Sequence, residues 1–226
     1  MSEEGGKCIL GHLSMLLDIK FSPCGKFIIT ADRDEKIRVS HYPNAYNIHN
    51  FCLGHSDFVT SIELLEDSNQ LVSGSGDGTL KVWDYLKGKQ ICSVTCAEDA
   101  KLDSLQIDPD PEKEDVTEMK VKRTTSWPSI LGVRVQDHLM AVSIEKFHGI
   151  LIYDYCDNMV VYKKKILTSS PIWDHTIIPG GLLLVVQACQ QHNYVQTIEV
   201  DEIDTKSCTE IAQAEDFFQG KQDYFI

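Results

Sequence analysis

The sequence predicts an all-β fold of the propeller class, on three observations. First, Gly11-His12 recurs as Gly54-His55, 43 residues on. Second, Thr30 to Val39 (TADRDEKIRV) recurs at the same offset as Ser73 to Val82 (SGSGDGTLKV). The histidine-to-aspartate separation is therefore 22 residues in both copies, His12 to Asp34 and His55 to Asp77. Third, Trp83-Asp84 closes the second copy. A period of about 40 to 45 residues, with Gly-His near its start and Trp-Asp near its end, is the signature of WD-repeat blades, each a four-stranded sheet.

Each unit reads as short strands joined by turns. Ile19 and Phe21 alternate with Lys20 in a first strand. Ser22-Pro23-Cys24-Gly25-Lys26 is a turn, because proline fixes φ and glycine tolerates positive φ. Phe27 to Thr30 is apolar on both faces, as a strand covered by two neighbouring sheets must be. Asp34-Glu35 and Asp77-Gly78 occupy tight hairpins, and Ile37/Val39 and Leu80/Val82 alternate in the strands that follow.

A third copy emerges if an insertion is allowed. Ser143 aligns with Ser73, Tyr153 with Trp83 and Asp154 with Asp84, each at an offset of 70. The excess falls in Ala97 to Lys122, which carries nine acids, four lysines and two prolines and little apolar content, so a disordered acidic insertion is expected over about 97–122. A fourth, degenerate unit spans about Val160 to Val200, with strands near Ile172, Leu182 to Val186 and Tyr194 to Val200. The partial propeller thus occupies 1–200, and 201–226 is an acidic tail. Lys7 to Leu10 resembles the outer strand of a blade whose other strands lie outside the chain. About four blades with such a start predict a truncated seven-bladed propeller, with the apolar face of its first blade exposed and two open edges.

Composition narrows the function classes. The 226 residues include 42% hydrophobic and 24% charged residues, ordinary for a globular protein with a real core. No apolar run approaches the 18 residues of a membrane span. The opening Met1-Ser2-Glu3-Glu4-Gly5-Gly6 lacks a basic stretch and an apolar core, so no signal peptide is expected and the compartment should be reducing. The eight cysteines then read as free thiols; none has CxxC spacing, so no zinc site is expected. The net charge of −13 argues against gripping a nucleic acid alone, because that affinity comes from lysine and arginine displacing counterions.

The repeated polar residues have a structural explanation. His55, Asp77, Ser73 and Trp83 should form a buried hydrogen-bonded set in the second unit, and His12, Asp34 and Thr30 a shorter one in the first, where Ser40 replaces tryptophan. A Ser/His/Asp catalytic reading fails because the grouping repeats with the fold, while a triad occurs once and needs an oxyanion hole. Gly74-Ser75-Gly76-Asp77-Gly78 could be taken for a cofactor loop. The alternating Thr79 to Trp83 that follows is a strand, not the helix such a loop opens. No P-loop or paired-carboxylate site is present. The chain is read as non-catalytic, with no cofactor and no metal of its own.

Gly11-His12-Leu13-Ser14-Met15-Leu16-Leu17-Asp18, Asp32 to Ser40 (DRDEKIRVS) and Phe51-Cys52-Leu53-Gly54-His55 resemble the WD-repeat non-catalytic subunit of the tRNA (guanine-N(7)-)methyltransferase. The close resemblance covers about residues 8 to 85. It implies a scaffold that stabilises and positions a catalytic tRNA methyltransferase subunit in a heterodimer. That partner would bind S-adenosylmethionine, hold the tRNA and form N7-methylguanosine, mainly in the nucleus, with the cytoplasm as a second compartment. An acidic scaffold suits a basic, RNA-gripping enzyme. The alternative function is a general WD adaptor, such as a ubiquitin-ligase substrate receptor.

The candidate partner-binding residues are Asp32, Arg33, Glu35, Lys36 and Arg38, with Asp34 turned inward to His12. A bridge between Glu35 and Arg38 would hold the hairpin in shape. Lys163, Lys164 and Lys165 are candidate RNA contacts, weighed against a plain role in solubility.

Overall fold

The computed structural model describes residues 8–65, 68–100, 128–178 and 182–187, together with the backbone of 194–199. Four antiparallel sheets follow one another in chain order. The first holds β1 (Leu16–Phe21), β2 (Phe27–Asp32), β3 (Lys36–His41) and β4 (Ile48–Leu53). The second holds β5 (Val59–Leu64), β6 (Gln70–Ser75), β7 (Thr79–Asp84) and β8 (Lys89–Thr95), after which α1 (Cys96–Ala100) makes a short helix. The third holds β9 (Ile130–Gln136), β10 (Leu139–Ile144), β11 (Gly149–Cys156) and β12 (Met159–Leu167). The fourth has three strands, β13 (Ile172–Ile178), β14 (Leu182–Gln187) and β15 (Tyr194–Glu199). These are blades.

The blades stack face to face, and each interface is an apolar layer. Ile29, Ala31, Ile37 and Val39 of blade one meet Ile62, Leu71 and Trp83 of blade two. The other face of blade two presents Val72, Leu80 and Val82 to Ile130, Val133, Met140 and Tyr153 of blade three. Blade three in turn offers Ala141, Ile150 and Ile152 to Ile177, Leu183 and Val185 of blade four. Burial on both faces is why the middle strands β2, β6 and β10 read as continuous apolar or small runs.

Polar groups tie the innermost strands together across these interfaces. Asp18 Oδ2 accepts from Ile62 N at 2.8 Å, and Ser61 Oγ accepts from Val133 N at 3.3 Å. Beside them runs a chain of alternating charges, one per blade. Lys20 Nζ lies 2.8 Å from Glu63 Oε1, Arg134 lies 3.7 Å from that same oxygen, and Arg134 reaches Asp174 Oδ1 at 3.2 Å.

Several expectations change. In β1 the apolar Ile19 and Phe21 are exposed, while Lys20 is the residue turned toward the next blade. Residues 8–10 form no strand. The acidic insertion does not begin as a disordered loop at 97. Residues Cys96–Ala100 are helical, anchored by Tyr153 Oη donating to Asp99 at 2.8 Å, and the rest of 97–122 lies outside the described residues, as does the tail from 201.

The third repeat is also shifted in register. Gly74 opposes Leu80 across its hairpin, whereas Ser143 opposes Ile150, so the third hairpin is one residue longer. Ser143 therefore occupies the place of Gly74, and Val142 that of Ser73. A constant offset of 70 holds on β11 but slips by one on β10.

Gly74 shows how tight the interface is. A Cβ there would lie 2.5 Å from Ile130 Cγ2 and 2.9 Å from Val133 Cγ2. We expect Gly74→Ala to lower stability by about 1–3 kcal/mol through overpacking, read as an earlier midpoint in thermal or urea unfolding. An unchanged midpoint would contradict this packing of blades two and three.

Candidate functional site

The second blade holds a complete buried hydrogen-bonded set. His55 Nδ1 lies 2.9 Å from Asp77 Oδ2, and its Nε2 lies 2.7 Å from Ser73 Oγ, which also accepts from Trp83 Nε1 at 2.8 Å. A carboxylate can only accept, so the Nδ1 proton belongs to the Asp77 contact and the Ser73 hydroxyl donates to Nε2. Thr79 N and Oγ1 donate to Asp77 Oδ1 at 2.9 and 2.6 Å, and Ser56 N donates to Oδ2 at 3.0 Å. Burial pushes the Asp77 carboxyl upward, but the bonds from His55, Thr79 and Ser56 outweigh it and hold the group well below the usual carboxylate range.

This set does no chemistry on a substrate. Ser73 and Trp83 are fully buried, and His55 is nearly so. A nucleophile sealed between two sheets cannot meet an acyl group. After Gly78, which takes the left-handed conformation at φ +74, the chain enters β7 and no helix opens. Gly74 is small because blade three lies on it.

In the first blade the aspartate assignment is corrected. His12 Nδ1 pairs with Asp32 Oδ2 at 3.0 Å and Nε2 with Thr30 Oγ1 at 2.9 Å; Asp34 takes no part. Asp32, at the end of β2, takes the histidine-pairing role that Asp77 has in blade two, and its Oδ1 also accepts from Asp34 N and Lys36 N at 2.9 and 3.2 Å. Asp34 instead projects outward, 3.9 Å from Lys36 Nζ. The two residues exchange the roles read from the repeat. Asp32 is buried and unavailable to a partner, and Asp34 joins the exposed set. Ser40, in the tryptophan position, keeps a buried hydroxyl without a partner among the described residues.

What remains is a compact charged tip. Arg33, Asp34, Glu35 and Lys36 are exposed, and Glu35 sits at φ 66 in the turn itself. Arg38 lies further down β3, half-buried. Its Nη1 donates to Gly11 O at 2.9 Å rather than bridging Glu35, so it clamps the Gly-His segment onto its own blade. The tip is thus held from beneath by His12–Asp32 and from the side by Arg38–Gly11.

Elsewhere, Lys163 Nζ lies 2.9 Å from Asp154, and Lys165 Nζ donates to the carbonyl of Ala100 at 3.4 Å. Two of the three candidate RNA lysines are therefore engaged within the fold, and Lys164 has a partner as well. No group of three or more metal-ligating side chains occurs among the described residues. Sequence reasoning missed the Tyr153–Asp99 anchor, where burial pushes the Tyr153 phenol far above its ordinary range and the neighbouring Cys96 thiol up to about 12. It also missed the inner-strand charges. Lys20 and Glu63, opposite in sign at the repeat offset, were a signal for them.

Stacked four-stranded blades around a buried His–Asp–Ser–Trp set define a WD-repeat propeller protein. The chain belongs to the family described as the tRNA methyltransferase TRM82 WD40 domain, whose profile matches residues 4–214. It is 36% identical over 190 residues to the tRNA (guanine-N(7)-)-methyltransferase non-catalytic subunit WDR4 of Homo sapiens, covering 82% of this chain and 42% of that one. It is 55% identical over 92 residues to the subunit of the same name from Danio rerio, covering 40% and 22%. The chain thus spans less than half the length of these relatives. Among solved structures, the WD40 domain of Toxoplasma gondii coronin superposes with a TM-score of 0.62 at 19% identity, covering 84% of this chain and 45% of that one. The last likeness concerns fold alone.

Asp77→Asn tests the buried set. The folded chain holds that carboxylate at a lower pKa than the unfolded chain, where it titrates near 3.9. Its stabilisation is therefore complete above that value and fades as pH falls through it. We expect Asp77→Asn to cost about 1–3 kcal/mol at neutral pH and to flatten the acid limb of unfolding free energy below about pH 4. An acid limb identical to that of the parent would sink the assignment.

Proposed function

We propose that this chain is a non-catalytic scaffold that stabilises and positions the catalytic subunit of a tRNA (guanine-N(7)-)methyltransferase, one scaffold to one catalytic chain. The catalytic partner binds S-adenosylmethionine, holds the tRNA and forms N7-methylguanosine, in the nucleus and secondarily the cytoplasm. Family membership carries this reading, and the rigid charged hairpin of blade one supports it.

The physical logic is preorganisation. Arg33, Asp34, Glu35 and Lys36 stand on a turn already fixed by the His12–Asp32 and Arg38–Gly11 bonds. Little conformational entropy remains to be lost when a partner pairs with them. Mixed signs on one small tip favour a specific register over general stickiness, because like charges brought together repel. The net charge of −13 disfavours tRNA on the scaffold itself and suits a basic partner that grips the RNA. Lys163 and Lys165, already paired, are at most secondary contacts.

Reversal of the exposed tip, Glu35→Lys with Lys36→Glu, should weaken capture of the catalytic subunit at least tenfold with thermal stability within about 0.5 kcal/mol of the parent. Arg38→Leu should also weaken the complex, with about 1 kcal/mol of stability lost alongside it as the Gly11 bond goes. Quantitative pull-down with purified methyltransferase and a parallel melting curve separate the two effects. Full binding by both variants would refute the hairpin assignment. Co-purification of cullin-type ligase components in place of a methyltransferase would favour the general adaptor. Calorimetry of S-adenosylmethionine against the chain alone should register no binding, and saturable heat would refute the non-catalytic reading.

A further inference from the structure

Each inner strand opens with the same irregularity. The pairing of β1 with β2 skips Leu17, that of β5 with β6 skips Thr60, that of β9 with β10 skips Leu131, and that of β13 with β14 skips Trp173. A β-bulge of this kind leaves one residue out of the ladder and re-aims its side chain. All four bulged residues line one cavity of about 350 Å³ on the inner side of the stack. Leu131 is 52% exposed and Trp173 65%, so the bulges place large apolar groups in open space and not in a core. Blades two and three, each packed on both faces, carry the pattern as the others do.

The rest of the cavity wall is polar, and its unspent capacity is for accepting hydrogen bonds. Ser143 is 6% exposed, and its hydroxyl makes no hydrogen bond among the described residues. Gly132 leaves that hydroxyl uncovered: a Cβ there would lie 3.4 Å from both Ser143 Oγ and His175 Cε1. His175, 4% exposed, donates from Nε2 to Ala141 O at 3.1 Å. Burial pushes its imidazole toward the neutral form, so Nδ1 is an acceptor. Glu63 takes Lys20 and Arg134 on Oε1, and Oε2 remains to accept. The cationic donors are already engaged, Lys20 on Glu63 and Arg134 on Glu63, Asp174 and the carbonyl of Val133. The lining holds three carboxylates, Asp18, Glu63 and Asp174, against those two cations.

We propose that this cavity receives an arginine side chain from a basic segment of a protein partner, its stem against Leu131 and Trp173 and its guanidinium on Glu63, Ser143 and His175. A guanidinium has five donors and no acceptor, which answers an acceptor-rich wall. Its planar cation also stacks on an indole, and its methylene stem packs on apolar side chains. About 350 Å³ sits at the small end of ligand pockets, which suits one long side chain better than a whole cofactor. The net charge of −13 draws a basic segment toward the chain. None of Arg33 to Lys36 lines the cavity, so the inference is independent of the proposed function.

Nuclear magnetic resonance on the isotope-labelled 226-residue chain tests it, with a capped Gly-Ser-Arg-Ser-Gly peptide as the probe. Saturable shifts are expected at the amides of Gly132 and Ser143 and at the Trp173 indole. The same peptide with citrulline, the uncharged analogue of arginine, should bind about tenfold more weakly or worse. Leu131→Lys sets a cation of the chain's own in the cavity and should weaken the arginine peptide by a similar factor. Because Leu131 is exposed, that variant should keep the circular dichroism and unfolding midpoint of the parent. No saturable shift at those residues, equal binding of the citrulline peptide, unchanged binding by a folded Leu131→Lys, or free arginine binding as tightly as the peptide would overturn the proposal.

Discussion

Face-to-face packing of twisted sheets is the constraint from which the rest of this structure follows. A sheet buried on both sides has no water-facing surface on which to place polar side chains, so its middle strand must be apolar or small throughout. Ile28, Ile29 and Ala31 in β2 obey this, as do Leu71, Val72 and Gly74 in β6 and Met140 to Val142 in β10. With the Ser40 hydroxyl as an exception, most polar groups that lie inside find hydrogen-bond partners. The His55 set achieves that with Asp77, Ser73, Thr79, Ser56 and Trp83.

The second blade was readable almost residue by residue, because glycine, aspartate and tryptophan there each have one place to go. The first blade was less so. Asp32 and Asp34 flank one hairpin two residues apart, and spacing alone favours Asp34, which matches Asp77 in the repeat. Geometry selects Asp32 because it ends β2 where Ser75 ends β6, and its carboxylate reaches His12 from there while Asp34 stays exposed. In the third blade a hairpin one residue longer defeats any constant offset, and only strand pairing shows that Val142, not Ser143, stands where Ser73 does. Propensity and period report the residues in a strand. They do not report which way a strand faces when its neighbour is a sheet met only in three dimensions, as the exposed Ile19 and the inward Lys20 of β1 show.

The division between buried and exposed charge organises the functional reading. Asp32 and Asp77 are consumed by the fold, and Lys20, Glu63 and Arg134 join the blades near the axis. Arg33, Asp34, Glu35 and Lys36 stand clear on a braced turn. A scaffold needs such a separation. Surface pairs that are free to rearrange contribute little on their own, but the same charges fixed in position confer orientation on whatever they contact.

The helix at Cys96–Ala100 has a consequence for how two blades are joined. Tyr153 holds it through Asp99, and Lys165 grips its final carbonyl, so the polypeptide leaves blade two from a fixed post and rejoins the stack at Ile130. Blade three thereby fixes the point at which the chain leaves blade two, and the two neighbours are joined through this short helix as well as through their shared apolar layer.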